Sequence, residues 1–139
     1  MARPYLGGSS AGVKSLTASA TLSPADSGKV ILFTPPSGAG ALNITLPACS
    51  AGSEFTIIQK SAYDTAVCKV TSAEGNNIVG GILAQTGAGD NSGANVDFIE
   101  WGSGTVEGDM VSLVSDGSKW YVVGSRSKLT SNGIAFRSS

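Results

Sequence analysis

The chain has 139 residues, of which 41% are hydrophobic and only 14% are charged, and its formal net charge is −1. A balance so close to neutral, with lysines and arginines scattered singly, argues against a nucleic-acid-binding protein. No apolar run approaches the roughly 18 residues of a membrane-spanning helix, and the N-terminus lacks the apolar segment of a secretory signal peptide. The sequence contains no histidine, which excludes Ser-His-Asp triads and histidine-ligated metal centres.

The first half of the chain has a period of two. Apolar and polar residues alternate in residues 15–22 and 42–46, which predicts strands with one buried face. Residues 30–33 form a continuous apolar run, which predicts a strand that is covered on both faces. Proline and glycine clusters at residues 24–28 and 35–40 predict the turns between these strands.

The second half continues the same pattern. Further strands are predicted in the apolar segments at residues 55–60, 66–71, 78–79, 82–83, 96–101, 110–114 and 119–123. The last two flank Ser115-Asp116-Gly117-Ser118. An Asp-Gly pair between two β-rich runs is a strong signal for a hairpin.

These segments predict an all-β fold, namely a β-sandwich or barrel-like domain of roughly eight to ten short antiparallel strands. We expect an extended N-terminal arm at residues 1–12, a core domain at 13–124 and a C-terminal tail at 125–139. Within the tail, only Ile134 and Phe136 are expected to pack against the core.

Residues 85–95 are rich in Gly, Asn and Ser, and we expect them to form an exposed, mobile loop. Residues 90–97 offer several oxygen ligands around a glycine, as a loose calcium loop does, but they lack the closing bidentate Glu. A solvent-exposed loop is therefore the favoured interpretation. We expect no metal, no cofactor and no catalytic residue, although a Ser-Lys pair or a carboxylate pair would not need histidine.

Cysteines and aromatic residues carry the remaining candidate chemistry. Cys49 and Cys68 are expected to be small buried residues in strands, and their pairing in a disulfide stays open. Trp101, Trp120, Tyr121 and Tyr63 could form a stacking platform for a sugar or a base. Core and cross-strand packing is the favoured role of these aromatic side chains.

Three segments resemble the structural domains of tailed bacteriophages. They are residues 42–47 (LNITLP), 52–60 (GSEFTIIQK) and 108–124 (GDMVSLVSDGSKWYVVG). Similar motifs occur in phage head fibres, tail fibres and capsid decoration proteins, which are also called cement proteins. The resemblance extends over residues 17–124. Because the sequence starts at Met1 and ends at residue 139, we expect a small decoration protein rather than a module of a long fibre.

This resemblance implies a non-enzymatic virion protein, made in the host cytoplasm, that binds the major capsid protein on the outer capsid surface and stabilises the shell. It also implies that the N-terminal arm makes the contact with the capsid. The contact residues would be Arg3, Pro4, Tyr5 and Leu6, with Arg3 supplying charge-assisted hydrogen bonds and Tyr5 a buried anchor.

Self-association is expected on physical grounds, because low charge and many β-rich segments would leave reactive sheet edges on a monomer. A homotrimer is the first expectation and a dimer the second. The main alternative function is a receptor- or glycan-binding module of a fibre or spike that uses the aromatic residues and the loop at residues 85–95. A histidine-free glycan hydrolase is a third possibility.

Overall fold

The computed structural model describes residues 12–85, 90–91, 95–128 and 131–138. Within them, thirteen short strands and a single 3-10 turn form two stacked sheets and a small ribbon. The expectation of an all-β, sandwich-like domain is confirmed. The arm predicted at residues 1–12 lies almost entirely outside the described residues.

Six strands form the first sheet, in the order β1-β3-β5-β11-β12-β7. They are β1 (Val13–Leu16), β3 (Val30–Phe33), β5 (Glu54–Gln59), β11 (Met110–Ser115), β12 (Trp120–Arg126) and β7 (Ile78–Val79). The second sheet has the order β13-β10-β6-β4-β2. Its strands are β13 (Ile134–Arg137), β10 (Phe98–Trp101), β6 (Cys68–Thr71), β4 (Leu42–Thr45) and β2 (Ala20–Thr21). The ribbon pairs β8 (Gly81–Ile82) with β9 (Asp90–Asn91).

The first seven strands alternate between the two sheets, so the chain winds as a flattened coil rather than as a series of hairpins. Strands two apart in sequence therefore run in the same direction, and β1, β3 and β5 pair in parallel, as do β2, β4 and β6. Val30 pairs with Thr56 and Leu42 pairs with Cys68, so one turn of the coil is 26 residues long at both places. The prediction of purely antiparallel strands is wrong for this half of the chain.

The second half of the chain closes both sheets with antiparallel strands. β11 pairs with β5 and then with β12, and the predicted hairpin between β11 and β12 is confirmed. Its turn is held by Asp116, whose Oδ1 accepts hydrogen bonds from the backbone N–H groups of Ser118 (2.8 Å) and Lys119 (2.9 Å). β13 pairs with β10, and the buried side chains of Ile134 and Phe136 join the core, as expected from the sequence.

The core lies between the two sheets and takes the inward side chains of nearly every strand. Among the fully buried side chains are Ile31, Ile57, Val70, Ile99 and Val111. The Phe33 ring of the first sheet meets the Trp101 ring of the second edge-on, with centroids 5.4 Å apart. Aromatic contacts of this geometry add to the apolar area that they bury.

Asp26, in the 3-10 turn Pro24–Asp26, connects β1 with the segment that precedes β3. Its side chain is 5% exposed and forms ion pairs with Lys14 (3.0 Å) and Lys29 (2.9 Å). Its Oδ2 also accepts a hydrogen bond from the backbone N–H of Ser23 at 3.0 Å. The Ser23 N–H and the two ammonium groups hold the pKa of Asp26 well below its usual range.

We expect Asp26→Asn to lower the free energy of unfolding at pH 7 by about 1–2 kcal/mol, because the lysines lose their carboxylate partner. A lowered pKa gives stability that is present above the ordinary carboxyl pKa of about 3.9 and is lost as pH falls through the folded value. The difference in melting temperature between wild type and Asp26→Asn should therefore narrow below about pH 4. The exposed Asp64→Asn is the control, and a gap of constant size from pH 7 to pH 2 would contradict the assignment.

A second buried carboxylate, that of Asp109, fixes the loop before β11. Its side chain is 0% exposed, and it accepts hydrogen bonds from the backbone N–H groups of Val106 and Lys128, each at 3.1 Å. The guanidinium of Arg126 lies 4.0 Å from Oδ1. Burial raises the pKa of Asp109, against the lowering effect of these partners. Asp109 thus joins the loop at residues 102–109 to the end of β12.

Candidate interaction surface

The outer face of the six-stranded sheet is apolar. In β3, β5 and β11, alternate side chains are buried in the core, and the residues between them are partly exposed on the opposite side of the sheet. We define the apolar face by nine outward residues of this sheet: Val13, Val30, Leu32, Thr56, Ile58, Met110, Ser112, Val114 and Tyr121. The register also gives outward positions to Ser15, Glu54, Val79, Gly124 and Arg126. Of the fourteen outward residues that the register gives for the six strands, eight are hydrophobic and two are charged, and the hydrophobic ones are contiguous.

Strand register places these side chains in rows across the sheet. The middle row runs from Val13 through Val30, Thr56 and Ser112 to Gly124. The hydroxyl groups of Thr56 and Ser112 hydrogen-bond to each other at 3.0 Å, so the polar atoms at the centre of the face already have partners. If these hydroxyl groups were buried against another surface, each would keep the other as a hydrogen-bond partner, which lowers the cost of burying them.

The two flanking rows carry the larger side chains. One row contains Leu32, Ile58 and Met110, and the other contains Val114 and Tyr121. Tyr121 is 37% exposed, and its hydroxyl donates to Asp116 Oδ2 at 3.2 Å, which raises the pKa of Tyr121. The Tyr121 ring is thereby held at one end of the face, where an aromatic side chain can serve as an anchor for a partner.

Two charges flank the apolar face. Glu54 lies beside Val114 at one end, and Arg126 lies beside Met110 at the other. No other charged side chain occupies an outward position within the six strands of this sheet. Charged residues are commonly depleted at the centre of protein interfaces and retained at the rim, and this face has the same distribution.

The outer face of the second sheet is different in kind. Its outward positions include Lys69, Glu100 and Arg137, together with asparagine and threonine side chains. The Arg137 Nε lies 3.5 Å from Glu100 Oε1, and the Lys69 ammonium lies 4.7 Å from the centroid of the Phe98 ring. Each of these charged groups has a partner within the face, either an opposite charge or an aromatic ring. One outer face of the sandwich is thus polar and charged, and the other is largely apolar.

The site residues predicted from the resemblance, Arg3, Pro4, Tyr5 and Leu6, lie outside the described residues. The apolar face was not predicted from the sequence as an interaction surface. The continuous apolar run of residues 30–33 is the part of the sequence that indicates this face, but the run predicted a strand covered on both faces. In the structure, Ile31 and Phe33 are buried, whereas Val30 and Leu32 are partly exposed.

The loop at residues 85–95 is described only in part. Asp90 belongs to β9, and its Oδ2 accepts a hydrogen bond from the backbone N–H of Phe136 at 2.8 Å. Asp97 Oδ1 accepts one from the backbone N–H of Asn76 at 2.7 Å. These two carboxylates of the segment that was compared with a calcium loop thus contribute to the fold, and no cluster of three or more metal-binding side chains occurs among the described residues.

The aromatic residues divide between core and surface. Trp101 and Trp120 are 1% and 0% exposed, which confirms packing as the role of both. Trp120 contacts Phe55, with ring centroids 5.7 Å apart. Neither indole is available to stack on a sugar or a base, and of the four aromatic residues considered, Tyr121 is the one exposed on the apolar face.

The two cysteines are free thiols. Cys68 is a buried residue of β6, as predicted, and burial raises its pKa strongly. Cys49 lies instead in the segment after β4 and is only partly buried, so the prediction of a buried strand residue is wrong there. The Asn77 amide donates to Cys49 Sγ at 3.3 Å, and burial raises the pKa of Cys49 as well. A raised pKa disfavours the thiolate, which is the reactive form of cysteine.

The part of the chain that the structure describes contains no pocket and no helix able to cross a membrane. Comparison with known proteins adds no family: no family model matches the chain, and no curated protein matches it either.

Proposed function

We propose that the chain is a non-enzymatic structural protein of a tailed-phage virion, a decoration protein that binds the outer capsid surface and stabilises the shell. The observation that carries this proposal is the contrast between the two outer faces of the sandwich. An apolar face that is bare of charge at its centre supports a role in protein association, because such patches usually mark interaction sites. The resemblance of three segments to phage structural domains is the reason for proposing a tailed-phage virion as the location of this association.

Two of the three segments that resemble phage structural domains form central strands of the six-stranded sheet. Residues 108–124 contain the β11–β12 hairpin, and Gly117 adopts a φ of 102° in its turn, a conformation that suits glycine. Residues 52–60 contain β5, the strand that pairs with β3 on one side and β11 on the other. The hairpin and β5 supply most of the apolar face, so the resemblance extends over the proposed interaction surface.

A decoration protein acts by multivalency. Each copy contacts one small patch of the shell, and many copies on equivalent sites hold neighbouring capsid subunits together. Binding to the assembled shell alone stabilises that state by mass action. A rigid sandwich suits this role, because its interaction surface is ordered before binding and little conformational entropy is lost.

The proposal is tested by the copy number of the protein in purified virions, measured by quantitative mass spectrometry against the major capsid protein. Hundreds of copies in a simple ratio to the capsid protein would support a position on the head lattice. A few to a few dozen copies would point to a fibre, a vertex or the tail, and absence from the particle would refute a virion role.

Particles that lack the protein are expected to release their DNA at a lower temperature than complete particles. The physical reason is that the shell loses the binding energy that opposes internal DNA pressure. Dye accessibility of the DNA during a temperature ramp measures this release, and adding the purified protein back is the control. Equal release temperatures for the two kinds of particle would contradict shell stabilisation.

The glycan-binding alternative loses its main support. It relied on Trp101 and Trp120, which are core residues. The two remaining aromatic candidates, Tyr63 and Tyr121, are at least partly exposed, but no pocket occurs among the described residues. This is a poor match for a sugar site, which needs stacking together with convergent polar groups.

A further inference from the structure

We infer that the apolar face is where a second copy of this chain binds, in a two-fold symmetric pair whose axis passes near Ser112. This pairing deepens the proposed function, on which it rests for its setting, by naming one partner of the interaction surface. It is carried by the rows of side chains, by the positions of the two flanking charges and by the state of the sheet edges.

Three of the four sheet edges offer little room for pairing with another copy, and the fourth is the four-residue strand β1. β7 and β2, at one edge of each sheet, are two residues long. At the free edge of β13, the backbone N–H of Phe136 already donates to Asp90. Short or covered edges of this kind protect a sheet from edge-to-edge addition. Association through a face is therefore an alternative to the pairing of open edges that the sequence led us to expect.

The charges on the face favour a copy of the same chain as partner. Glu54 of β5 is level with Val114 of β11, and Arg126 of β12 is level with Met110 of β11. Ser112 lies midway between Met110 and Val114, and β11 lies midway between β5 and β12. Glu54 and Arg126 are therefore at equal and opposite displacements from Ser112, roughly 17 Å apart on ideal strand spacings.

A two-fold axis in the plane of the interface, through Ser112 and perpendicular to the line joining these two residues, exchanges their positions. Each Glu54 then faces the Arg126 of the other copy. Two intermolecular ion pairs result, one on each side of Ser112. An isologous contact requires self-complementarity of this kind, because the same patch is used on both sides. An acid and a base placed symmetrically about Ser112 suit a self-complementary contact through that residue.

The size of the face sets the strength of the pair. Six strands at about 4.8 Å spacing and three rows of side chains cover roughly 400 Å² on each copy. Stable complexes usually bury about 800 Å² on each partner. We therefore expect a dissociation constant in the micromolar range or weaker, which becomes effective where many copies are held close together on a lattice.

Analytical ultracentrifugation of the full chain between about 1 and 500 µM tests the pairing. We expect a reversible monomer–dimer equilibrium. Ser112→Arg should abolish the dimer, because the introduced charge meets its own symmetry mate. Glu54→Arg should weaken it at least tenfold, and the double variant Glu54→Arg with Arg126→Glu should restore it by exchanging the two charges. Thr71→Arg, on the outer face of the second sheet, is the matched control and should leave the dimer unchanged.

Circular dichroism melting of each variant separates loss of association from loss of folding, which matters most for Arg126→Glu because Arg126 lies near the buried Asp109. A chain that stays monomeric at every concentration, forms a trimer, or dimerises equally well with Ser112→Arg would overturn the pairing. If the chain stays monomeric but Ser112→Arg abolishes co-sedimentation with capsids, the face binds the capsid instead. That outcome refutes the pairing and leaves the proposed function standing.

Discussion

Trp101→Ala should lower the free energy of unfolding by about 3–5 kcal/mol, because it opens a large cavity between the two sheets. Trp101 belongs to β10 of the second sheet, is 1% exposed, and meets the Phe33 ring of the first sheet at 5.4 Å. Its Nε1 also donates to the backbone carbonyl of Asp109 at 3.4 Å, so the substitution removes a hydrogen bond as well as apolar contact. A loss of this size is a large share of the roughly 5–15 kcal/mol by which a domain is stable.

Urea unfolding followed by circular dichroism would measure this effect, alongside two companion variants. Trp101→Phe keeps most of the buried apolar area and should cost clearly less than Trp101→Ala. Tyr121→Ala removes an aromatic ring from the surface and should change stability by less than about 1 kcal/mol. If Trp101→Ala unfolds at the wild-type urea concentration, the indole is not part of the core.

Gly102→Ala is expected to lower the free energy of unfolding by about 2–3 kcal/mol, as overpacking of a rigid site does. A Cβ added to Gly102 would lie 2.5 Å from the backbone oxygen of Asn132, and this neighbour is main chain, so it cannot rotate away. The backbones approach so closely because Gly102 N–H donates to the Gly133 carbonyl at 3.1 Å and Gly104 N–H donates to the Asn132 carbonyl at 2.7 Å. Separating them would loosen the segment that leads into β13.

Hydrogen exchange gives this substitution a local readout in addition to the unfolding curve. The amides of Ile134–Arg137 should exchange faster in Gly102→Ala, because β13 loses its anchor at residues 131–133. Gly81→Ala is the matched control, since its added Cβ would lie 3.6 Å from the closest neighbour, an ordinary contact. Unchanged protection of β13 in Gly102→Ala would show that the close approach does not hold the strand.

Local sequence signals predicted most of the strands and the last hairpin, for reasons that the structure makes concrete. The single strand predicted at residues 15–22 is wrong, because the chain leaves the first sheet after Leu16 and enters the second sheet at Ala20. The alternation in β4, β5 and β11 matches the burial of every second side chain, because the period of a strand is two. The Asp116-Gly117 pair forms a turn because the aspartate accepts local backbone hydrogen bonds and the glycine adopts positive φ. These features are decided by a few neighbouring residues.

Strand direction and partner choice could not be predicted in the same way. Alternation in residues 42–46 says that one face is buried but not that β4 pairs in parallel with β6, because the pairing depends on how the chain crosses between sheets. The 26-residue offset is carried by register rather than by repeated residues.

The candidate site was missed for a related reason. Val30 and Leu32 look like core residues in the sequence, since an apolar side chain carries the same signal whether the fold covers it or a partner does. What separates the two cases is which side of the sheet the second layer packs against. That choice is made by the whole chain and is not written in any one strand.

The winding of the first seven strands means that this domain can change its length in steps. A strand in the coil has its hydrogen-bonding partners one turn away, at offsets of 17, 24 and 26 residues, so an additional pair of strands at a similar spacing would find strands to pair with in both sheets. Each such addition would extend both sheets together and widen the apolar and solvated faces equally. Insertion or deletion of a single residue within a strand cannot be accommodated in this way, because a shift of one position would turn core side chains toward solvent. The architecture therefore favours growth by duplication of whole turns over gradual lengthening of strands.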